Sequence, residues 1–523
     1  MHRPKDNIHV ERPFRAARNK IVPAEELPEA VERARAGGKA VVMAHGVFDL
    51  LHMGHVRHLE EARLEGDLLV VSITADRFVN KGPDRPVFSE LLRAEMLAAL
   101  EYVDFVTINH APSAEDILRA VRPDIYVKGS DYVNAAEDVT GKIDTERLAV
   151  EEGGGRIVFT HDITFSSSAL INRYLNIYDQ TLQGYLESAR TRGLAAQAIT
   201  ALNKVAGLKV LLIGDAIIDE YNYVAPMGRS SKEAIVTTLH QGQERFAGGV
   251  FATANHVAGI CDSVEIISCL GSEDSHEELI LELLKPNVSL HTIWRDGVPT
   301  TRKARFIDGS SMRKLFEVYW MDDAHLPLPE ETAFNERLER TLGDYDVVIV
   351  NDFGHGLISA STIEVLRRHA KFLAVNVQAN GGNFGFNLIT KYQRADFVCI
   401  DSMEARLALR DKFGDIADLV TRQLPEHIDC PKIIVTLGKQ GCIAIERGQG
   451  LWRIPALTST IVDTVGAGDA FFAITAPLVA AGVPMEVVGF IGNAAGALKV
   501  GIVGHRSSVE KPSLVKFITA LLK

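Results

Sequence analysis

Along residues 24–36, AEELPEAVERARA, apolar positions recur at helical spacing between charged ones, which predicts an amphipathic helix. GGKAVVMAHG follows with a glycine turn and then an unbroken apolar run, the pattern of a strand buried on both faces. HMGHVRHLEEARLEG then reads as a helix, DLLVVSITAD as a strand, FSELLRAEMLAAL as a helix, DFVTIN as a short strand, AEDILRAVR as a helix and DIYVKG as a strand. Strands alternating with helices predict a parallel, doubly wound α/β sheet, and this Rossmann-like domain is expected to span residues 1–175. Residues 176–207 favour helix throughout and contain no proline; they read as a helical connector, with a dimerisation segment as the alternative. From LKVLLIGDAIIDEY the α/β alternation resumes and runs to LVKFITALLK, which predicts a second α/β domain over residues 208–523.

Length supports this division, because 523 residues exceed what one hydrophobic core usually holds. The balance of 46% hydrophobic and 24% charged residues excludes a disordered or fibrous chain. A net charge of −12 argues against broad nucleic-acid binding, so any anionic ligand must be held by local groups. The five cysteines, Cys261, Cys269, Cys399, Cys430 and Cys442, show no metal or disulfide spacing, which points to a reducing cytoplasm. The first twenty residues are polar and basic without the apolar core of a signal peptide, and no run of about eighteen apolar residues occurs, so neither export nor membrane insertion is expected. Self-association as a homodimer is expected.

Candidate chemistry begins at HGVFDLLHMGHVRHLEEAR, residues 45–63. A helix starting here places His52 and His55, three apart, on one face of its first turn, where free N–H groups and the helix dipole favour a phosphate. Gly54 between them leaves room for a ligand. Two histidines on a helix are otherwise ordinary surface or core residues, and a zinc pair would need the H-E-x-x-H spacing, which is absent. Strand, Gly46, Phe48, Asp49 and HxGH together resemble the cytidylyltransferase-like nucleotidyltransferases. With DRPV (84–87) and VKGSDY (127–132), residues 19–175 are similar to the adenylyltransferase domain of the bifunctional ADP-heptose synthesis enzymes. The resemblance implies that His52 and His55 grip the nucleotide phosphates and Lys128 adds a point charge. It implies nucleotide contacts from Gly46, Phe48, Asp49, Gly54, Gly129, Asp131 and the serines Ser166, Ser167 and Ser168, with Mg²⁺ bridging phosphates. The reaction implied is attack of a sugar phosphate on ATP, with CTP as the alternative, and release of pyrophosphate. His45 stands where that family has a small polar residue, and serines replace its threonines.

The second candidate site is VDTVGAGDAFFA, residues 462–473. Gly466, Ala467 and Gly468 precede an apolar helix, so their N–H groups can cradle a phosphoryl group, and Asp469 can face an acceptor hydroxyl. The D-T-x-G-A-G-D string resembles the ribokinase-like sugar kinases. That resemblance implies Asp469 as base, Asp219, Gly248, Gly249, Lys303 and Arg305 as sugar contacts, and Thr436, Gly438, Gly441 and Asn493 as nucleotide contacts. Asp401 and Glu404, in DSMEA, would organise metal and phosphates. The departures are Ala252 after the Gly-Gly pair, Asn376, Val377 and Gln378 in place of Asp-Pro-Lys, and Asp401 in place of asparagine. Three readings of this domain stand open: a kinase with a changed substrate, a heptose phosphate kinase, and a degenerate scaffold. For the whole chain the expectation is a bifunctional sugar kinase and nucleotidyltransferase, with the common domain order inverted. The alternative is a polyol- or sugar-phosphate cytidylyltransferase carrying a non-catalytic kinase-like domain.

Overall fold

In the computed structural model, which describes residues 17–79, 85–129, 142–160, 178–230, 232–233 and 235–523, the apolar runs read as buried strands are buried strands. β1 (Val41–Gly46), β2 (Leu68–Thr74), β3 (Phe105–Asn109), β4 (Ile125–Gly129) and β5 (Arg156–Thr160) form one sheet in the order β3-β2-β1-β4-β5. Every pairing in it is parallel. All seven residues of β2 are buried, as a strand covered by helices on both faces requires. One face packs Val42, Ala44, Leu59 and Leu97; the other packs Val41, Met43, Leu118 and Tyr126. The strand order reverses between β1 and β4, so the carboxyl ends of those two strands border a crevice.

The chain divides into two compact units, the first ending at Tyr178 and the second running from Asp179 to Ile518. The segment read as a connector is two helices, Gln180–Thr191 and Leu194–Lys204, broken at Gly193, whose φ is 66°. Both belong to the second unit, where Arg192, at the end of the first helix, pairs with Glu486 at 2.6 Å and Tyr185 packs against Phe490.

The second unit is built on a nine-stranded sheet, β10-β9-β6-β13-β14-β15-β16-β17-β18. Its strands are β6 (Lys209–Gly214), β9 (Ser263–Glu273), β10 (Val288–Pro299), β13 (Val347–Asp352), β14 (Leu373–Val377), β15 (Phe397–Asp401), β16 (Lys432–Thr436), β17 (Cys442–Glu446) and β18 (Gly450–Ile454). β10 through β16 are parallel, and β17 and β18 are antiparallel additions. Order reverses between β6 and β13. A separate four-stranded sheet, β12-β11-β7-β8, joins β7 (Ala216–Arg229), β8 (Val236–Gly249), β11 (Thr301–Asp308) and β12 (Arg313–Trp320). Simple α/β alternation does not anticipate this sheet, although the doubly wound architecture it does anticipate is present in both units.

Candidate active sites

In the first unit the chain leaves β1 at the crevice and enters the helix Met53–Leu64. His52 is that helix's N-cap: its backbone is extended and its Nδ1 accepts the Gly54 N–H at 3.1 Å. His55 lies one turn on, and the two imidazoles stack with centroids 4.0 Å apart, inclined by 22°. Phe48 holds a left-handed backbone, φ 49°, and turns its ring edge to His55 at 5.2 Å. Gly46 is required beneath it, since a Cβ there would lie 3.1 Å from the Phe48 ring. Phe48 is therefore packing that braces His55 from below.

Asp49 is used by the protein itself. Its buried carboxylate accepts the N–H groups of Val87 at 2.7 Å and Phe88 at 3.3 Å and pairs with Arg85 at 3.1 Å. It clamps residues 85–88 and is 1% exposed, so the side chain implied at the nucleotide serves the protein's own backbone and Arg85. Lys128 is not a bare charge either, because its ammonium lies 2.7 Å from the buried Glu146 carboxylate, to which Tyr126 also donates. A phosphate would share Lys128 with Glu146. Among the described residues nothing stands within 4 Å of where a Gly129 side chain would be, while Asp131, Ser166, Ser167 and Ser168 lie outside the described residues. His45 sits between two hydroxyls, Ser72 at 3.1 Å and Thr74 at 3.3 Å. Sequence reasoning missed His58, whose Nδ1 is 2.9 Å from Thr160 Oγ1. Burial, then the charge of Lys128, push its pKa down to about 4, so it stays neutral beside that ammonium. The available signal was spacing, since His52, His55 and His58 recur every third residue.

In the second unit, Asp219 on β7 takes Arg305 on one carboxylate oxygen and His505 Nε2 on the other at 3.1 Å. Burial alone would raise its pKa, but Arg305 and His505 more than reverse this and hold it ionised. Gly248 is glycine because a Cβ would meet Asp219 Oδ2 at 2.2 Å; Gly249 combines a φ of 54° with the Asp215 carbonyl 2.6 Å from where its Cβ would be. Lys303 is buried beside the Phe353 and Tyr319 rings, and burial lowers its pKa. Gly466 caps the helix Ala467–Ala480 with a φ of 73°, and its missing side chain makes room for His505, whose Cε1 would be 2.4 Å from a Cβ. Among the described residues nothing lies within 4 Å of the Gly468 Cβ position, which leaves room for a phosphoryl group at this helix start, while the Ala467 N–H is taken by the Thr464 carbonyl at 3.3 Å. Asp469, in that turn, is buried and accepts the Gln378 amide at 2.5 Å. Burial raises its pKa against the opposing pull of His505, Gln378 and Lys499, with the Asp219 charge adding to the rise.

Gln378, which stands in place of the lysine of Asp-Pro-Lys, holds the carboxylate of Asp469 directly. Two groups here were not expected. Lys499 donates to the carbonyls of Val465 and Gly504, each at 2.7 Å, fixing the two segments that carry Gly466 and His505. His505 joins the Asp219 end of the cluster to the glycine loop. No motif announced His505, because its partners lie far away in sequence.

At the far end of the sheet, Thr436 closes β16, and Gly438 and Gly441 turn the chain into β17 with φ of 57° and 89°. Asn493, expected at the nucleotide, instead spends its amide on the carbonyls of Ile454 and Pro455, both at 3.0 Å; it fixes the end of β18. Asp401 and Glu404 form a capping box on the helix Ser402–Leu409, and Glu404 also accepts the Ala379 N–H at 3.1 Å. Burial and the neighbouring Asp401 charge raise Glu404 to about 8. No group of three or more His, Cys, Asp or Glu side chains among the described residues forms a metal cage. Asp401 and Glu404 are the residues that would face Mg²⁺ carried in by nucleotide phosphates, the usual mode for that ion; each also accepts a backbone N–H, and the ion would supply charge neutralisation.

Residues 208–512 match the family model for pfkB family carbohydrate kinases. The chain belongs to that family. Residues 43–173 match the cytidylyltransferase-like model, so the pfkB domain is preceded by a cytidylyltransferase-like one. Among curated proteins, bifunctional protein HldE of Syntrophotalea carbinolica is 41% identical over 165 residues, 31% of this chain and 32% of that protein. Bifunctional protein HldE of Desulfatibacillum aliphaticivorans is 40% identical over 154 residues, 29% and 30% of the two chains. The matches thus span about a third of these relatives' length. A solved ribokinase from Thermotoga maritima covers 60% of this chain and 99% of its own at 21% identity, TM-score 0.48. No helix among the described residues is long and apolar enough to cross a membrane.

Proposed function

We propose that the chain is a bifunctional cytoplasmic enzyme making a nucleotide-activated sugar. In this reading the pfkB domain phosphorylates a sugar from ATP, and the cytidylyltransferase-like domain joins a nucleotide to a sugar phosphate. The observation that carries the kinase half is the placement of Asp469, with its neighbour Gln378, in the first turn above the open Gly468 position and in the same charge cluster as Asp219. Asp469 takes the proton of the acceptor hydroxyl as the oxygen–phosphorus bond forms; the bond from the γ-phosphorus to ADP breaks, and the glycine-loop N–H groups hold the transferring oxygens. Arg305 and His505 fix Asp219 to receive the sugar. Mg²⁺, when present, neutralises phosphate charge. In the other half the stacked His52 and His55 donate to phosphate oxygens while a sugar phosphate oxygen attacks the α-phosphorus and pyrophosphate leaves. The resemblance of DRPV and VKGSDY, and the HldE matches to the first domain, favour ATP and a heptose phosphate there.

The test incubates purified protein with a panel of sugars and sugar phosphates, with ATP or CTP, and reads products by mass spectrometry alongside pyrophosphate release. A sugar phosphate formed from ATP, and a nucleotide sugar formed with pyrophosphate, are the expected products. Turnover with CTP equal to or above that with ATP would overturn the adenylyl assignment, and absence of both products would overturn the enzyme reading.

A further inference from the structure

A cavity of about 530 Å³ opens in the second unit, lined by the loop after β13, the helix Ala360–His369 and the segment 382–393. None of Asp219, His505, Gly466, Gly468 or Asp469 lines it, nor do Thr436, Gly438, Asp401 or Glu404. It is therefore separate from the groups assigned above to sugar, phosphoryl and nucleotide. Its size lies within the range of about 300–1,000 Å³ usual for small-ligand sites.

The cavity's floor is a stapled polar lattice. Asn387 donates to the Asp352 carbonyl at 2.9 Å and to the Gln378 carbonyl at 3.2 Å, and accepts from Lys391 at 2.7 Å. Lys391 also pairs with Asp352 at 2.5 Å, and Asn383 donates to the Phe353 carbonyl at 2.6 Å. These bonds hold the loop ANGGNFGFN rigidly at its base while Phe386, 90% exposed, stands at the cavity edge. The walls still have hydrogen-bonding capacity: among the described residues no hydrogen bond engages the side chains of Asp323, His325 or Gln393.

The chemistry of the lining narrows the occupant. Three carboxylates, Asp323, Asp352 and Glu364, face two permanent cations, Arg367 and Lys391, so a phosphate gains no net attraction. Apolar side chains in the lining are Phe386, Ile358, Ile363 and the small Ala360, too little for a hydrophobic ligand. Asp352 is held by Lys391 and Tyr392, and Glu364 by Arg367 and Arg368; the remaining carboxylate of Asp323, the Gln393 amide and the His325 imidazole around one exposed aromatic face suit a ring with hydroxyls on its edge and C–H groups on its face. We propose that this cavity is a second site of the pfkB domain that binds a neutral, unphosphorylated monosaccharide. Its floor leads to the kinase base, since Asn387 holds the backbone of Gln378 and the Gln378 amide holds Asp469; an occupant is thus placed to bias phosphoryl transfer.

Saturation-transfer difference NMR on the full chain, with D-glucose, D-mannose and D-galactose at millimolar concentration, tests this. At least one sugar should receive saturation from the protein, and Phe386→Ala or Gln393→Ala should weaken that binding about tenfold, as loss of a central contact does. Both positions are exposed, and unchanged thermal melts will confirm folding. Asp219→Ala should leave the signal in place. No transfer to any of the three sugars overturns the proposal, and so does a signal abolished by Asp219→Ala but indifferent to Phe386→Ala and Gln393→Ala. The kinase assignment is judged separately, by phosphoryl transfer from ATP.

Discussion

Asp469 and Gln378 show how one side chain sets the working range of another. Burial raises the Asp469 pKa, while the Gln378 amide at 2.5 Å favours the ionised form without adding charge. The acid limb of kcat/KM for phosphoryl transfer should therefore lie above the ordinary aspartate value of about 3.9. Gln378→Lys puts an ammonium against the carboxylate, and an opposite charge at that distance lowers a pKa, so the limb should move to lower pH. A pH–rate profile that stays in place in the variant would remove Gln378 from the site. Asp463 presents the same balance as a stability effect. Burial would raise it, but the Lys314 ammonium at 2.8 Å, the Tyr221 hydroxyl and the N–H groups of Gly504 and Val465 hold it down to about 2. A depressed carboxylate contributes stability above its unfolded value and loses it as pH falls through the folded one. Lys314→Met should therefore destabilise the protein at neutral pH and raise the midpoint of acid unfolding, with the difference from the parent full above about pH 4 and vanishing as pH falls to about 2, as circular dichroism will show.

At the scale of elements, two glycines predict opposite phenotypes. Gly248 on β8 has no positive φ, and an added Cβ would meet the carboxylate end of Asp219 at 2.2 Å well before the Ile217 carbonyl at 3.3 Å. Gly248→Ala should displace that carboxylate from Arg305 and His505 and cost about 10² in kcat/KM for the sugar, with little change in melting temperature. Gly441 combines a φ of 89° with the Ile454 carbonyl 2.0 Å from a Cβ position. Gly441→Ala should lower the melting temperature outright, at roughly 1–3 kcal/mol for the backbone conformation alone. The same strands explain what the sequence made legible. β1, β2, β13 and β14 are continuous apolar runs, because both faces are covered, and such runs announce themselves. β11 does not: its inward positions are Lys303, Arg305 and Ile307, so charge sits where alternation leads one to expect core, and its neighbour β7 is distant in the chain. Asp219, Gly248 and Asp469 were visible through motifs whose short spacing matches their geometry. His505 reaches the site from a segment without a motif, and only folding brings it there, whereas Gln378 was legible as the residue standing in place of the lysine of Asp-Pro-Lys. Asp49 and Asn493, which the resemblances imply at nucleotides, spend their side chains on the protein's own groups.

At the scale of the whole molecule, each unit has its own core, its own point of strand reversal and its own candidate phosphate site, and this makes the two activities separable by experiment. Asp469→Asn keeps the size of the base but cannot take a hydroxyl proton, so sugar phosphorylation should fall by about 10² or more. Nucleotidyl transfer should survive, because Asp469 belongs to the second unit's charge cluster alone. His55→Ala removes a donor stacked on His52 at the end of β1, a loss worth roughly 3–4 kcal/mol where a preorganised donor faces developing phosphate charge, and the kinase should remain intact. The measurement is both activities on both variants, with thermal melts to confirm that each is folded. Loss of both activities from either substitution, in protein that melts like the parent, would overturn the two-site account. It would mean instead that the histidine pair and the buried aspartate serve one coupled reaction, despite standing in units with separate cores.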